Sequence, residues 1–261
     1  MPIIHRALNQ RQIDVLIALY KFRFLTCDLM TNYQGQGTAA NTHHRLHNLM
    51  AQKYIDRHYE GKDRLHGKQA VYFLANDGIS FLRQQKELDL NTKALNIMYK
   101  DKQAREPFIE HSLDIFKLFL KLQELYGSKL TFYSKSELME YDFFPKVLPD
   151  GYFLLGNKPY FVEQIPATTT FARLRYKIGQ YIKHFNSGIW NKSGLDYPTI
   201  LLISESSYME RQIQGLIKRQ LRKYAVDNLI FMTTTVKALF GAESRRAAVW
   251  TTNSDKLVPL T

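Results

Sequence analysis

The sequence predicts a mixed α/β protein (α+β overall) in two folded parts, a helix-rich N-terminal part and a C-terminal α/β sandwich with a mixed sheet. Three observations predict it. Apolar residues recur at helical spacing through roughly the first 85 positions. After residue 129, short aromatic and β-branched runs alternate with helical segments. Between the two lies a polar, weakly periodic stretch. The expected division is 1–85, a connector at 86–106, and 107–261.

In the first part, Ile13, Leu16, Ile17 and Tyr20 fall at i, i+3, i+4 and i+7, one face of a helix over Asn9–Phe24 with Asn9 as its N-cap. Thr26 can cap a short second helix through Leu29 and Met30, which ends in the Gly35-Gln-Gly37 turn. Thr38 opens a third, whose apolar set is Thr42, Leu46, Leu49 and Met50. Two aromatic and β-branched runs, Tyr54–Tyr59 and Gln69–Leu74, flank a Gly-containing basic tip and predict a hairpin. Asn76-Asp-Gly-Ile-Ser-Phe-Leu-Arg supplies a closing helix. Three short helices and then a β-ribbon is the winged helix-turn-helix plan.

Pro107 suits the first turn of the next helix, Phe108–Tyr126, which carries Ile109, Leu113, Phe116 and Leu120 on one face. Strands are expected at Lys129–Tyr133, Tyr152–Leu155 and Pro159–Ile165, the last two joined by a turn at Gly156-Asn157-Lys158. A strongly basic helix spans Thr170–Phe185. Thr199–Ile203 is a continuous apolar run, as a central strand would be. A helix over Tyr208–Tyr224, a strand at Asn228–Met232, a short helix at Val236–Phe240 and an edge strand at Ala248–Thr251 complete the sandwich.

Composition narrows the function classes. With 45% hydrophobic and 13% aromatic residues, the chain is not intrinsically disordered. The single cysteine, Cys27, can form neither an internal disulfide nor a thiolate zinc site, which suggests a reducing, cytoplasmic setting. No apolar run approaches the ~20 residues of a spanning helix, and the first residues lack a secretory pattern, so no membrane partner is expected. There is no GxxxxGK[ST], GxGxxG or GxSxG, hence no expected nucleotide cofactor or serine elbow. The net charge of +12 favours a polyanionic partner, nucleic acid first. Residues 1–106 carry 16 basic and 10 acidic side chains and the remainder 20 and 14, so each part has the same excess.

A helix that reads a major groove needs short polar and forked basic side chains. Asn41, His44, Arg45 and Asn48 provide them opposite the apolar face of the third helix. The hairpin tip adds Lys62, Arg64, His66 and Lys68 as phosphate or minor-groove contacts. Double-stranded DNA is therefore the expected partner. His43 and His47 have the i, i+4 spacing of a metal half-site but no carboxylate or cysteine pair to complete it. On the basic helix, Arg173, Lys177 and His184 fall on one side with Tyr181 beside them, in position to track a phosphate backbone.

Asp150 at the start of one strand and Glu163 on its antiparallel neighbour can meet at one sheet edge, where two carboxylates can hold Mg²⁺. This layout resembles the PD-(D/E)xK nuclease-like fold. That fold's lysine, two residues after the glutamate, is replaced by Ile165, and Lys177 on the next helix is a candidate substitute. The full order of parts is similar to the replication-relaxation family of bacterial plasmids and other mobile elements. It is carried by Glu110-His111-Ser-Leu-Asp, Leu148-Pro-Asp-Gly-Tyr-Phe153, Tyr160-Phe-Val-Glu163 and Leu174-Arg-Tyr-Lys-Ile-Gly-Gln-Tyr181. The resemblance implies a duplex-DNA-binding protein acting in replication, relaxation or conjugative transfer, with an inactive nuclease-like part, no cofactor, and a relaxase, a replication protein or a second copy as further partners. Two alternatives stand beside it: a Mg²⁺-dependent endonuclease using Asp150 and Glu163, and a plain transcriptional regulator.

Overall fold

The computed structural model describes residues 7–35, 37–59 and 67–260. It is a mixed α/β protein, and the chain divides into two compact units, Met1–Leu120 and Lys121–Thr261. Among the described residues no helix is long and apolar enough to cross a membrane.

In the N-terminal unit, α1 (Gln10–Phe22) starts at a capping box in which Asn9 and Gln12 satisfy each other's backbone N–H groups. Thr26 caps α2 (Cys27–Gln34), which ends on Gly35, and Thr38 caps α3 (Ala39–Ala51). β1 (Ile55–His58) and β2 (Val71–Leu74) pair antiparallel. A single bridge between Leu25 and Tyr72 adds the α1–α2 connection to this ribbon as a third extended segment. α4 (Asn76–Gln84) then packs close to the chain at Tyr54, where a Cβ on Gly78 would stand 2.0 Å from the Tyr54 carbonyl oxygen. Only glycine fits there.

Residues 86–106, expected as a connector, hold structure of their own. α5 (Thr92–Met98) buries Ala94, Leu95 and Met98. Asp101, only 1% exposed, takes a bidentate ion pair from Arg23 at the end of α1, and its carbonyl lies 2.9 Å from His58 Nε2. The segment thereby belongs to the N-terminal unit, and the division falls inside α6 (Glu106–Tyr126), after Leu120 rather than at residue 106. Its short apolar set and long polar surface hide this in the sequence.

The C-terminal unit is built on a seven-stranded sheet in simple sequence order. β3 (Leu130–Ser134), β4 (Gly151–Leu155) and β5 (Lys158–Ile165) run antiparallel. β5, β6 (Thr199–Ser204) and β7 (Phe231–Thr235) run parallel, and β8 (Trp250–Thr252) and β9 (Leu257–Val258) return antiparallel. A one-turn helix, α7 (Lys135–Leu138), follows β3. The crossovers are α8 (Phe171–Asn186), capped by Thr170, and α9 (Ser207–Tyr224), capped by Ser206. α10 (Val236–Phe240) follows β7. One apolar cluster joins Phe161, Ile165, Ile200, Leu202 and Phe231 of the sheet to Leu174, Ile178 and Ile182 of α8 and Ile213, Leu216 and Ile217 of α9. Both crossover helices therefore cover the same sheet face.

Candidate functional site

The pleat decides where Glu163 goes. Alternate residues of a strand share a face, so Phe161, Glu163 and Ile165 all point toward α8. Ile165, at the position where a nuclease-like motif would carry lysine, is 3% exposed in the apolar cluster. Glu163 is 0% exposed in the same layer, and an unpaired carboxylate there would cost several kcal/mol.

α8 supplies its partners one helical turn apart. The Lys177 ammonium donates to Glu163 Oε2, and the Tyr181 hydroxyl donates to Oε1 at 2.5 Å. Asp150 directly precedes β4, and Gly151 pairs with Val162, which brings Asp150 opposite Glu163. There its Oδ2 accepts the Gln164 N–H at 3.1 Å. Residue 151 must be glycine, because a Cβ would meet the Phe132 ring at 2.5 Å. Asp150, Glu163 and Lys177, far apart in sequence, thus converge at one end of β5.

Electrostatics follow from burial. Desolvation raises the Glu163 pKa to about 7, against the opposing pull of Lys177. Burial works against the Lys177 ammonium, yet Glu163 and Asp150 more than offset it and its pKa stands above the ordinary lysine value. Burial and the nearby Glu163 charge push the Tyr181 hydroxyl well above the ordinary tyrosine value. On the same helix, His184 Nε2 lies 2.9 Å from the Phe143 carbonyl and Nδ1 2.9 Å from the Tyr197 hydroxyl, and burial lowers its pKa.

These residues do not fit a divalent cation. Mg²⁺ asks for open oxygen ligands and several waters, whereas both Glu163 oxygens already receive protein donors and the carboxylate has no exposure. An ammonium stands against the carboxylate instead. Among the described residues no group of three or more His, Cys, Asp or Glu side chains could hold a metal, and His43 and His47 are simply exposed on α3.

The N-terminal candidates separate into an outward set and a tethered one. Asn41 and His44 are exposed, and Asn48 Nδ2 lies 3.1 Å from His44 Nε2. Arg45 is half-buried at the flank of α3, where its guanidinium donates to Gln34 Oε1. Thr42, Leu46 and Leu49 are buried on the opposite face, as their spacing requires. Lys68 is exposed and donates to Glu106 Oε1 at 2.7 Å. Lys62, Arg64 and His66 lie outside the described residues.

In the C-terminal unit Arg173 is exposed, whereas Lys177, read both as its companion cation and as a candidate substitute for the motif lysine, turns inward to Glu163. Tyr181 is 1% exposed and acts as the second donor to that carboxylate, a role that sequence reasoning missed. Its i, i+4 spacing from Lys177 was the available signal.

A family model described as Replication-relaxation matches residues 16–196, which run from α1 through α8. No curated protein and no solved structure matches the chain at a significant level. The matched segment takes in α3, the ribbon and the whole Asp150–Glu163–Lys177 cluster, and covers well over half the chain: this protein belongs to the replication-relaxation family.

Proposed function

We propose that this protein binds duplex DNA in the replication or relaxation of a plasmid or other mobile element, and that its C-terminal unit grips DNA or a partner protein without cutting. The observation that carries the reading is the outward face of α3, where exposed Asn41 and His44, with half-buried Asn48 against His44, lie opposite a buried apolar stripe. Amide and imidazole side chains of this kind can exchange hydrogen bonds with base edges in a major groove. Further support comes from the order of elements: α1, the Leu25 bridge, α2, α3, β1 and β2 follow one another as in a winged helix. The +12 charge supplies the long-range attraction to a polyanion. A relaxase, a replication protein or a second copy of the chain is the expected macromolecular partner in a cytoplasmic setting.

The non-cutting part of the reading rests on the closed state of Glu163, whose oxygens are taken by Lys177 and Tyr181. A gel shift with duplex DNA should show binding that weakens steeply with salt. A parallel incubation with Mg²⁺ or Mn²⁺ should leave the duplex intact. Metal-dependent cleavage that disappears in Asp150→Ala would replace this reading with the endonuclease, and absence of any shift at low salt would remove the DNA reading altogether. Action at a promoter alone, with no effect at a replication or transfer origin, would favour the transcriptional regulator.

A further inference from the structure

β5 and β6 are parallel neighbours, so the helices that follow them begin at the same edge of the sheet. Crevices outside the carboxyl ends of parallel strands are where open α/β sheets hold ligands. The residues displayed at this edge are unusual for a bare protein surface. Phe171 is 53% exposed and Tyr176 60% exposed in the first two turns of α8, and Tyr208 is 67% exposed in the first turn of α9. Arg173, Arg175 and Arg211 are exposed among them, and none has a carboxylate partner among the described residues. The acids nearby do not balance them. Glu163 is held by Lys177, Glu210 accepts from the Thr233 hydroxyl, and Glu205 is exposed.

Scattered exposed rings need no explanation. Rings interleaved with unpaired guanidinium groups at a sheet edge do, because each half of the pattern suits a different half of one ligand. Cations meet phosphates, and ring faces meet base faces. A duplex can use only the first half, since its bases are covered by their neighbours. Phe171 and Tyr176 are five residues apart, about 7.5 Å along the helix axis and about 140° around it, so each ring faces its own direction and would take a separate base. That separation suits splayed, unstacked bases.

We infer that this edge, centred on Phe171, Arg173, Arg175 and Tyr176 with Tyr208 and Arg211 alongside, is a platform for single-stranded DNA. It rests on the DNA reading above only for the choice of DNA over RNA. It uses none of the α3 residues.

The test is fluorescence anisotropy on the full chain with a labelled oligothymidylate of about 15 nucleotides and with a duplex of the same length. Tyr176→Ala should weaken single-strand binding about tenfold, and Phe171→Ala should do the same, each removing one stacking surface. Tyr176→Trp should keep the wild-type affinity, and duplex affinity should move by less than about twofold in all three. No single-strand binding by the wild type, an unchanged affinity in the Phe171→Ala/Tyr176→Ala pair, or equal losses in Tyr176→Ala and Tyr176→Trp would overturn the inference. Failure of the duplex reading is a separate result: the Asn41→Ala/His44→Ala pair would then leave duplex affinity unchanged, while single-strand binding would still respond to Tyr176.

Discussion

Replacing Lys177 with methionine removes the counter-ion of a carboxylate that has no exposure, while keeping a side chain of similar length. Breaking a buried ion pair from one side costs about 3–5 kcal/mol, because the other charge stays behind. Lys177 retains 22% exposure and Tyr181 still donates to Glu163, so the loss stays at or below the lower end of that range. The stranded carboxyl has one escape, which is to take up a proton. Glu163 already has its pKa raised to about 7 beside Lys177, so at about 1.36 kcal/mol per pH unit protonating it costs about 1.4 kcal/mol at pH 8 and nothing at pH 5, where it is neutral in the wild type as well. The loss in Lys177→Met should therefore be about 1–1.5 kcal/mol at pH 8 and close to zero at pH 5. Both tryptophans, Trp190 and Trp250, lie in the C-terminal unit, so urea unfolding followed by tryptophan fluorescence reads that unit directly. The Lys177→Met/Glu163→Gln pair should recover most of the stability at pH 8, since a neutral amide no longer needs the ammonium. No loss at pH 8, or the same loss at both pH values, would refute the account of a buried carboxylate held by one lysine.

Three further outcomes follow from other parts of the fold. Gly78→Ala drives a Cβ against the Tyr54 carbonyl and should cost the N-terminal unit about 3 kcal/mol, seen as faster amide exchange in α1 and α4; wild-type exchange rates would contradict the close approach. Asp101→Ala strands the Arg23 guanidinium and should cost about 2–3 kcal/mol, with exchange rising first in α5 and at the end of α1. Unchanged protection there would return residues 86–106 to the status of a loose connector. In the C-terminal unit, two groups give opposite pH slopes. Glu163, raised from 4.5 to about 7, contributes stability that is complete below its ordinary value and is lost as pH rises through 7. His184, lowered from 6.5, contributes stability that is complete above that value and is lost as pH falls. Glu163→Gln should thus steepen the acid-side fall in Tm between pH 8 and pH 5, and His184→Gln should flatten it; superimposable profiles would contradict both assignments.

Much of the architecture was legible because local chemistry dictates it. Asn9 and Thr26 cap the helices they were expected to cap, Thr38 and Thr170 stand at the starts expected for theirs, and the Gly156–Asn157 turn sets the β4–β5 register that brings Asp150 to Glu163. Where long-range packing decides, the sequence was silent or misleading. The apolar run at Leu229 suggested a strand from Asn228, but β7 begins at Phe231, Ile230 is 48% exposed, and Asn253 closes the approach by bonding the Leu229 carbonyl and the Phe231 N–H. β9 has two residues, too few to show any alternation. α5 was hidden because Ala94, Leu95 and Met98 are its whole buried set, and its place is fixed by distant groups such as the Tyr20 hydroxyl, which accepts the Asn91 N–H. At the candidate site the two carboxylates were visible as a hairpin pattern. Lys177 was read both beside Glu163, as a substitute for the missing lysine, and outward with Arg173, since helical angle alone does not tell which flank faces a buried acid; the role of Tyr181 was not visible.

The most direct measurement compares duplex binding by the wild type and by a chain carrying Asn41→Ala, His44→Ala and Asn48→Ala, titrated side by side at low salt. The triple variant, altered only on the outward side of a helix whose buried face is intact, should lose sequence preference and bind at least about tenfold more weakly. Identical isotherms for the two proteins would mean that α3 does not meet the duplex.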